Sequence, residues 1–226
     1  MNLKLPGLSV FALCFIASAF ARSSKQDVLA PSTQILVVTT SDWNAVEGTL
    51  QRYERVRSSK GWKRVGSSIP VVVGKTGLAW GAGLASSDGA GVRGFSDPVK
   101  KEGDGKAPAG VFRLSTTFGY AAEKQSGWRM PYTSLTSTVE CVDDASSKFY
   151  NRVVDNQTVK PDWNSSEHML RPDELYGWGL VVDHNADPVT PGSGSCIFAH
   201  LARPGPGDRG LHGYGERSVG VGIVVA

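Results

Sequence analysis

Apolar residues along this chain fall into short runs separated by Gly, Pro, Ser and Asp. The run Ile35-Leu-Val-Val-Thr-Thr40 is β-branched and predicts a strand. Residues 43–60 differ. Apolar side chains there sit at 43, 46, 50, 53 and 56, the three-and-four spacing of one helical face, with Ser41 or Asp42 placed to cap it. The pattern predicts a helix. Residues 62–66 and 69–74 then predict the two strands of a hairpin, and 111–114 a further strand. Residues 194–200, Gly-Ser-Cys-Ile-Phe-Ala-His, predict a strand that carries a histidine toward a site. With 27 glycines, 12 prolines and little other helical periodicity, the fold expected is mainly β, a sandwich with one or two short helices.

The N-terminus changes the picture of where the protein works. Residues 1–21, MNLKLPGLSVFALCFIASAFA, join one Lys to an apolar run from Leu8 to Ala17 and end in small-x-small at Ala19-Phe-Ala21. That is the form of a cleaved export signal, and the run is too short for a permanent membrane span. A polar, loosely ordered segment is expected over 22–34 and a single domain over 35–202, with no internal linker. Periplasmic or extracellular localisation follows as the expectation. Composition is ordinary for a globular chain, 40% hydrophobic and 20% charged, and a net charge of +3 lends no support to nucleic acid as a partner.

Candidate chemistry rests on few residues. Loss of the leader removes Cys14 and leaves Cys141 and Cys196, which in an oxidising compartment are either one disulfide or two separate buried thiols. His200 follows an apolar strand and is the candidate catalytic base. Cys196 stands four residues before it, about 13 Å away on a strand at about 3.3 Å per residue, too far for a thiol–imidazole pair. The Gly-rich loop of residues 101–112, Lys-Glu-Gly-Asp-Gly-Lys-Ala-Pro-Ala-Gly-Val-Phe, places Asp104 and Lys106 in a tight turn. Such a turn positions backbone amides or pins a neighbouring strand. His168 and His184 could line a cleft. No His-Glu-x-x-His or similarly tight pair joins them to His200, so a zinc peptidase is disfavoured. Asn156 and Asn164 begin glycosylation sequons, meaningful only in a eukaryotic source.

Taken together, "GKTGLAWG", "KKEGDGKAPAGVF", "ECVDDASSKFYNRVVD", "DWNSSEHM", "VVDHNADPV" and "GSGSCIFAH" resemble, in that order, exported L,D-transpeptidase catalytic domains of the YkuD type. The resemblance covers roughly residues 35–205. It implies acyl transfer on peptidoglycan stem peptides: a cysteine thiolate held by a histidine attacks a stem-peptide carbonyl, expels the terminal residue, and is resolved by an amine or by water. It implies no metal or organic cofactor, His200 as the base, and His184, Asp104 and Lys106 as substrate contacts. Where the family carries its nucleophile in Thr-Ala-Gly-Cys-Thr-Ala-Met, this chain has Asp208-Arg-Gly-Leu-His-Gly-Tyr-Gly215. Codons exist for these residues that, read one nucleotide later, spell the family motif, with its cysteine across Leu211 and His212. Residues 203–226 are therefore expected to be out-of-frame sequence and the chain inactive as written. The alternative is a non-catalytic wall-binding protein.

Overall fold

The computed structural model describes residues 28–56, 61–84, 94–123 and 129–202, with the backbone of 219–220. The expected leader (1–21) and most of the expected aberrant tail (203–226) lie outside the described residues. The fold is mainly β.

Strands β1 (Gln34–Thr40), β2 (Glu47–Glu54) and β3 (Lys63–Val72) form an antiparallel meander. Strands β4 (Leu78–Trp80) and β5 (Ala107–Ala109) make a short parallel ribbon. Further along the chain come β6 (Leu114–Gly119), β7 (Tyr132–Ser134), β8 (Val139–Val142), β9 (Val153–Asp155) and β10 (Ser166–His168). Last are β11 (Trp178–Val182), β12 (Phe198–Leu201) and β13 (Val219–Gly220). A central sheet runs β13-β12-β11-β6-β7, and a third small sheet runs β10-β8-β9.

The central sheet is buried on both faces. Val182 and Ala199 pack with Phe112 against Val38, Leu50 and Val71 of the meander. Phe118 and Phe198 pack with Tyr176 and Met169 against Val139 and Cys141 of β8 on the other face. One irregularity lets β6 serve both cores. Val182 pairs with Leu114 and Leu180 with Thr117, so two residues, Ser115 and Thr116, oppose Val181 alone. That bulge shifts the alternation by one, so that Leu114 and Phe118 point to opposite faces.

Two local expectations fail for one shared reason. The helix expected over 43–60 is instead β2, the central strand of the meander. The hairpin expected over 62–74 is the single strand β3. Between them, Leu50 pairs with Ile69 and Arg52 with Val65, leaving Gly66, Ser67 and Ser68 opposite Gln51. The Gly-Ser-Ser that reads as a turn is a bulge, and the Gln51 amide fills it by donating to the Val65 carbonyl at 3.1 Å. Consecutive burial of Leu50 and Gln51 mimics helical spacing, while ladders to β1 and β3 override a weak helical preference. No α-helix occurs among the described residues; a 3₁₀ turn spans Glu174–Tyr176. The strand expected at 111–114 starts only at Leu114, because Val111 and Phe112 are spent on burial outside the ladder.

Candidate active-site cleft

Several of the segments that carry the sequence resemblance meet in a hydrogen-bonded cradle around residues 192–197, while residues 162–169 bond instead to Glu140, Asp144, Ser147 and Tyr176. Gly77 closes the turn after Gly74 with φ +90°, and a Cβ there would sit 2.2 Å from the Trp43 carbonyl oxygen, so only glycine fits. Lys106 extends alongside, its Nζ donating to the Thr76 carbonyl at 2.6 Å. Asp104 accepts from Lys100 Nζ at 2.6 Å and from the amides of Lys101 and Lys106 at 2.8 and 2.9 Å. Burial pushes its carboxyl pKa up, but the Lys100 ammonium and the two amides outweigh that and hold it below the usual value. Asp104 and Lys106, the expected substrate contacts, are thus engaged in bracing the 100–106 loop. Lys100 itself is buried.

Five residues outside the candidate set, Glu102, Tyr150, Asn151, Asn185 and Ser195, finish the cradle. Glu102 Oε2 accepts from the Tyr150 hydroxyl and, at 2.7 Å, from Ser195 Oγ. Burial, then the Glu102 carboxylate, push the Tyr150 phenol up to about 12, so it remains a donor. Asn151 donates from Nδ2 to the carbonyls of His184 and Asn185, at 2.9 and 2.8 Å, and accepts the Cys196 amide on Oδ1 at 2.9 Å. Asn185 donates to the carbonyls of Thr190 and Gly194 and accepts the Thr190 amide. Among the described residues, Asn151, Asn185 and Cys196 are the non-glycine residues with positive φ, at 61°, 50° and 54°. Strained backbone is therefore concentrated in one place, where the surroundings over-determine it.

His184 lies inside this cradle. Its ring is 1% exposed, Nδ1 accepts the Ala82 amide at 3.2 Å, and Nε2 donates to the Ser193 carbonyl at 2.9 Å. Burial lowers its pKa, the main cause, and the ring is held neutral with both nitrogens committed. Gly194 at φ +99° admits this approach, since a Cβ there would lie 3.0 Å from Nε2.

From the cradle the chain enters β12, which begins at Phe198 rather than at Gly194. His200 is half-buried on this strand, its ring edge against Tyr176 with centroids 5.0 Å apart. The ring lies in a cleft of about 320 Å³ lined by Val73, Lys106, Leu175, Tyr176 and Ile197. His200 Nδ1 stands 2.7 Å from the Leu201 carbonyl oxygen. A proton on Nδ1 satisfies that contact and leaves the Nε2 lone pair available, the tautomer a general base needs. Tyr176 keeps its proton: burial, then Glu167, which accepts its hydroxyl at 2.5 Å, raise its pKa.

Cys141 and Cys196 form a disulfide with Cα atoms 5.9 Å apart, so neither is a thiol. The reason Cys196 cannot pair with His200 differs from the strand-spacing argument, because Cys196 precedes β12 in left-handed backbone. His168 is exposed, 3.8 Å from Glu140. Asn156 donates to Glu140 at 2.6 Å, beside the bonds from Trp163 and Ser166, while Asn164 binds Asp144. Among the described residues no group of three His, Cys, Asp or Glu side chains converges in metal-binding geometry, and no helix is long and apolar enough to cross a membrane.

Compared with family models, curated proteins and solved structures, the chain matches none.

Proposed function

We propose that the His200 cleft is an acyl-transfer cleft of the L,D-transpeptidase kind, with peptidoglycan stem peptides as its ligand class. As written, the chain lacks the nucleophile and acts as a stem-peptide binder. The observation that carries this reading is His200 itself: it ends the Gly-Ser-Cys-Ile-Phe-Ala-His segment, opens on a cleft, and holds its Nδ1 2.7 Å from a backbone carbonyl oxygen. A transferase of this kind needs a thiolate beside that imidazole. Cys141 and Cys196 are consumed in a disulfide. Export, with residues 1–21 as a cleaved leader, belongs to the same reading.

The test uses a carbapenem acylating agent followed by intact-mass measurement. The mature chain is expected to gain no adduct. A chain translated from the gene re-read one nucleotide later, starting before the Asp208 codon, is expected to gain one covalent adduct, and His200→Ala in that chain to abolish it. The mature chain should also co-sediment with isolated peptidoglycan. No co-sedimentation, together with no adduct on the re-read chain, overturns the proposal.

A further inference from the structure

A second cleft of about 240 Å³ lies on the opposite side of the Cys196–Phe198 segment, which lines both clefts. Its apolar wall includes Phe118, Val153, Val181 and Phe198, and its polar groups include Asp183, Arg152 and the β6 bulge hydroxyls. Asp183 is half-buried, and its Oδ1 accepts from Ser115 Oγ at 2.5 Å. Its other oxygen has no hydrogen-bond partner among the described residues. Arg152 is exposed and donates from Nη2 to the Ala186 carbonyl at 3.1 Å, with the rest of its fork unused by described residues. Neither charge forms an ion pair with any described residue, although both border the same space. Opposite charges that do not neutralise each other across a cleft suit a ligand bearing both signs.

We propose that this cleft binds a free aliphatic α-amino acid as its zwitterion, the ammonium on Asp183 and the carboxylate on Arg152, with the side chain against Val153 and Val181. The volume falls below the range of about 300–1,000 Å³ typical of drug-sized ligands and suits a single amino acid. The bulge matters here. Ser115, in the bulge, holds one oxygen of Asp183 and leaves the other, on a residue lining the cleft, for a ligand. This site is independent of the His200 cleft, and its chemistry needs no nucleophile.

The experiment titrates the mature protein with valine, N-acetylvaline and valinamide, read by calorimetry and by backbone amide NMR shifts. Valine is expected to saturate with a dissociation constant on the order of 1 mM and to move the amides of residues 152–153 and 181–183. Removing either ligand charge should weaken binding by roughly tenfold or more, the weight of one charged hydrogen bond. Asp183→Asn, which keeps the acceptor for Ser115, and Arg152→Gln should each do the same, while His200→Ala leaves valine binding unchanged. Absence of saturable binding by valine, equal binding of all three compounds, or undiminished binding in Asp183→Asn overturns the proposal. The ligand-derivative comparison on the unmodified protein keeps it falsifiable should a variant fail to fold.

Discussion

The cradle around His184 and the cleft around His200 lie on the two sides of one short segment, yet they are built on opposite terms. In the cradle, His184, Asn151 and Asn185 have their polar atoms bonded within the protein, and the charged pair Lys100–Asp104 is closed at 2.6 Å. In the cleft, His200 commits one nitrogen to a carbonyl and keeps the other for whatever enters. The cradle is closed upon itself, and the strand end at His200 opens on a cleft. Changes in the cradle should appear as stability, and changes in the cleft as lost ligand chemistry at little cost in stability.

The largest expected effect lies in the bridge that ties β8 to the cradle. Reducing Cys141–Cys196, or replacing both by Ser, should cost about 4 kcal/mol by the loop-entropy relation for a separation of 55 residues, measured as a denaturation midpoint with and without reductant. A loss under about 1 kcal/mol would place the tie elsewhere. Next, Lys100→Met leaves the Asp104 carboxylate part-buried against two amides and should cost about 3 kcal/mol in urea unfolding. Asn151→Ala removes three hydrogen bonds to residues 184, 185 and 196 and should cost about 2 kcal/mol.

A smaller effect is one of pH. Burial holds the folded pKa of His184 below the ordinary histidine value of 6.5, which the unfolded chain recovers. The unfolded state therefore binds the proton first, and the stabilising contribution, complete above pH 6.5, is lost as pH falls through the folded value. Thermal unfolding should show a midpoint falling from pH 7 toward pH 5, and His184→Gln should flatten that slope even while lowering the midpoint at pH 7. Smallest of all, His200→Ala should change stability by no more than about 0.5 kcal/mol. A large loss there would erase the distinction between the two regions.

Much of the architecture was legible. The β-branched run at 35–40, the density of Gly and Pro, and the absence of helical periodicity elsewhere all pointed to a mainly β chain. What misled was the spacing of apolar residues at 43, 46, 50, 53 and 56: Val46 and Val56 are exposed, and the phase shift at Leu50 and Gln51 turns Leu50 and Tyr53, three apart, to the same side of a strand. Apolar patterning cannot reveal a polar side chain that satisfies another strand's backbone. At the candidate site, His200 could be singled out because its spacing from an apolar run is a local signal. The roles of Glu102, Asn151 and Ser195 were not legible, because each partner lies in a different loop. Glu102 and Ser195 are 93 residues apart, and Asn151 and Cys196 are 45. The only local hints were the asparagines, the residues that best tolerate the left-handed backbone found at 151 and 185.

The strand order of the central sheet also sets when the protein can finish folding. The meander β1-β2-β3 pairs neighbours in sequence, so its loops close early. In the central sheet β6 pairs with β7 on one side but must wait for β11 on the other, with β8, β9 and β10, the strands of another sheet, made in between. Until residues 178–182 have left the ribosome Phe118 lacks β11 alongside, and until Phe198 follows it lacks that ring against its own. A nascent chain stalled before Trp178 should accordingly hold a protease-resistant N-terminal meander and a sticky, protease-sensitive remainder. The order of synthesis, rather than final stability, would then decide how much of this protein escapes aggregation.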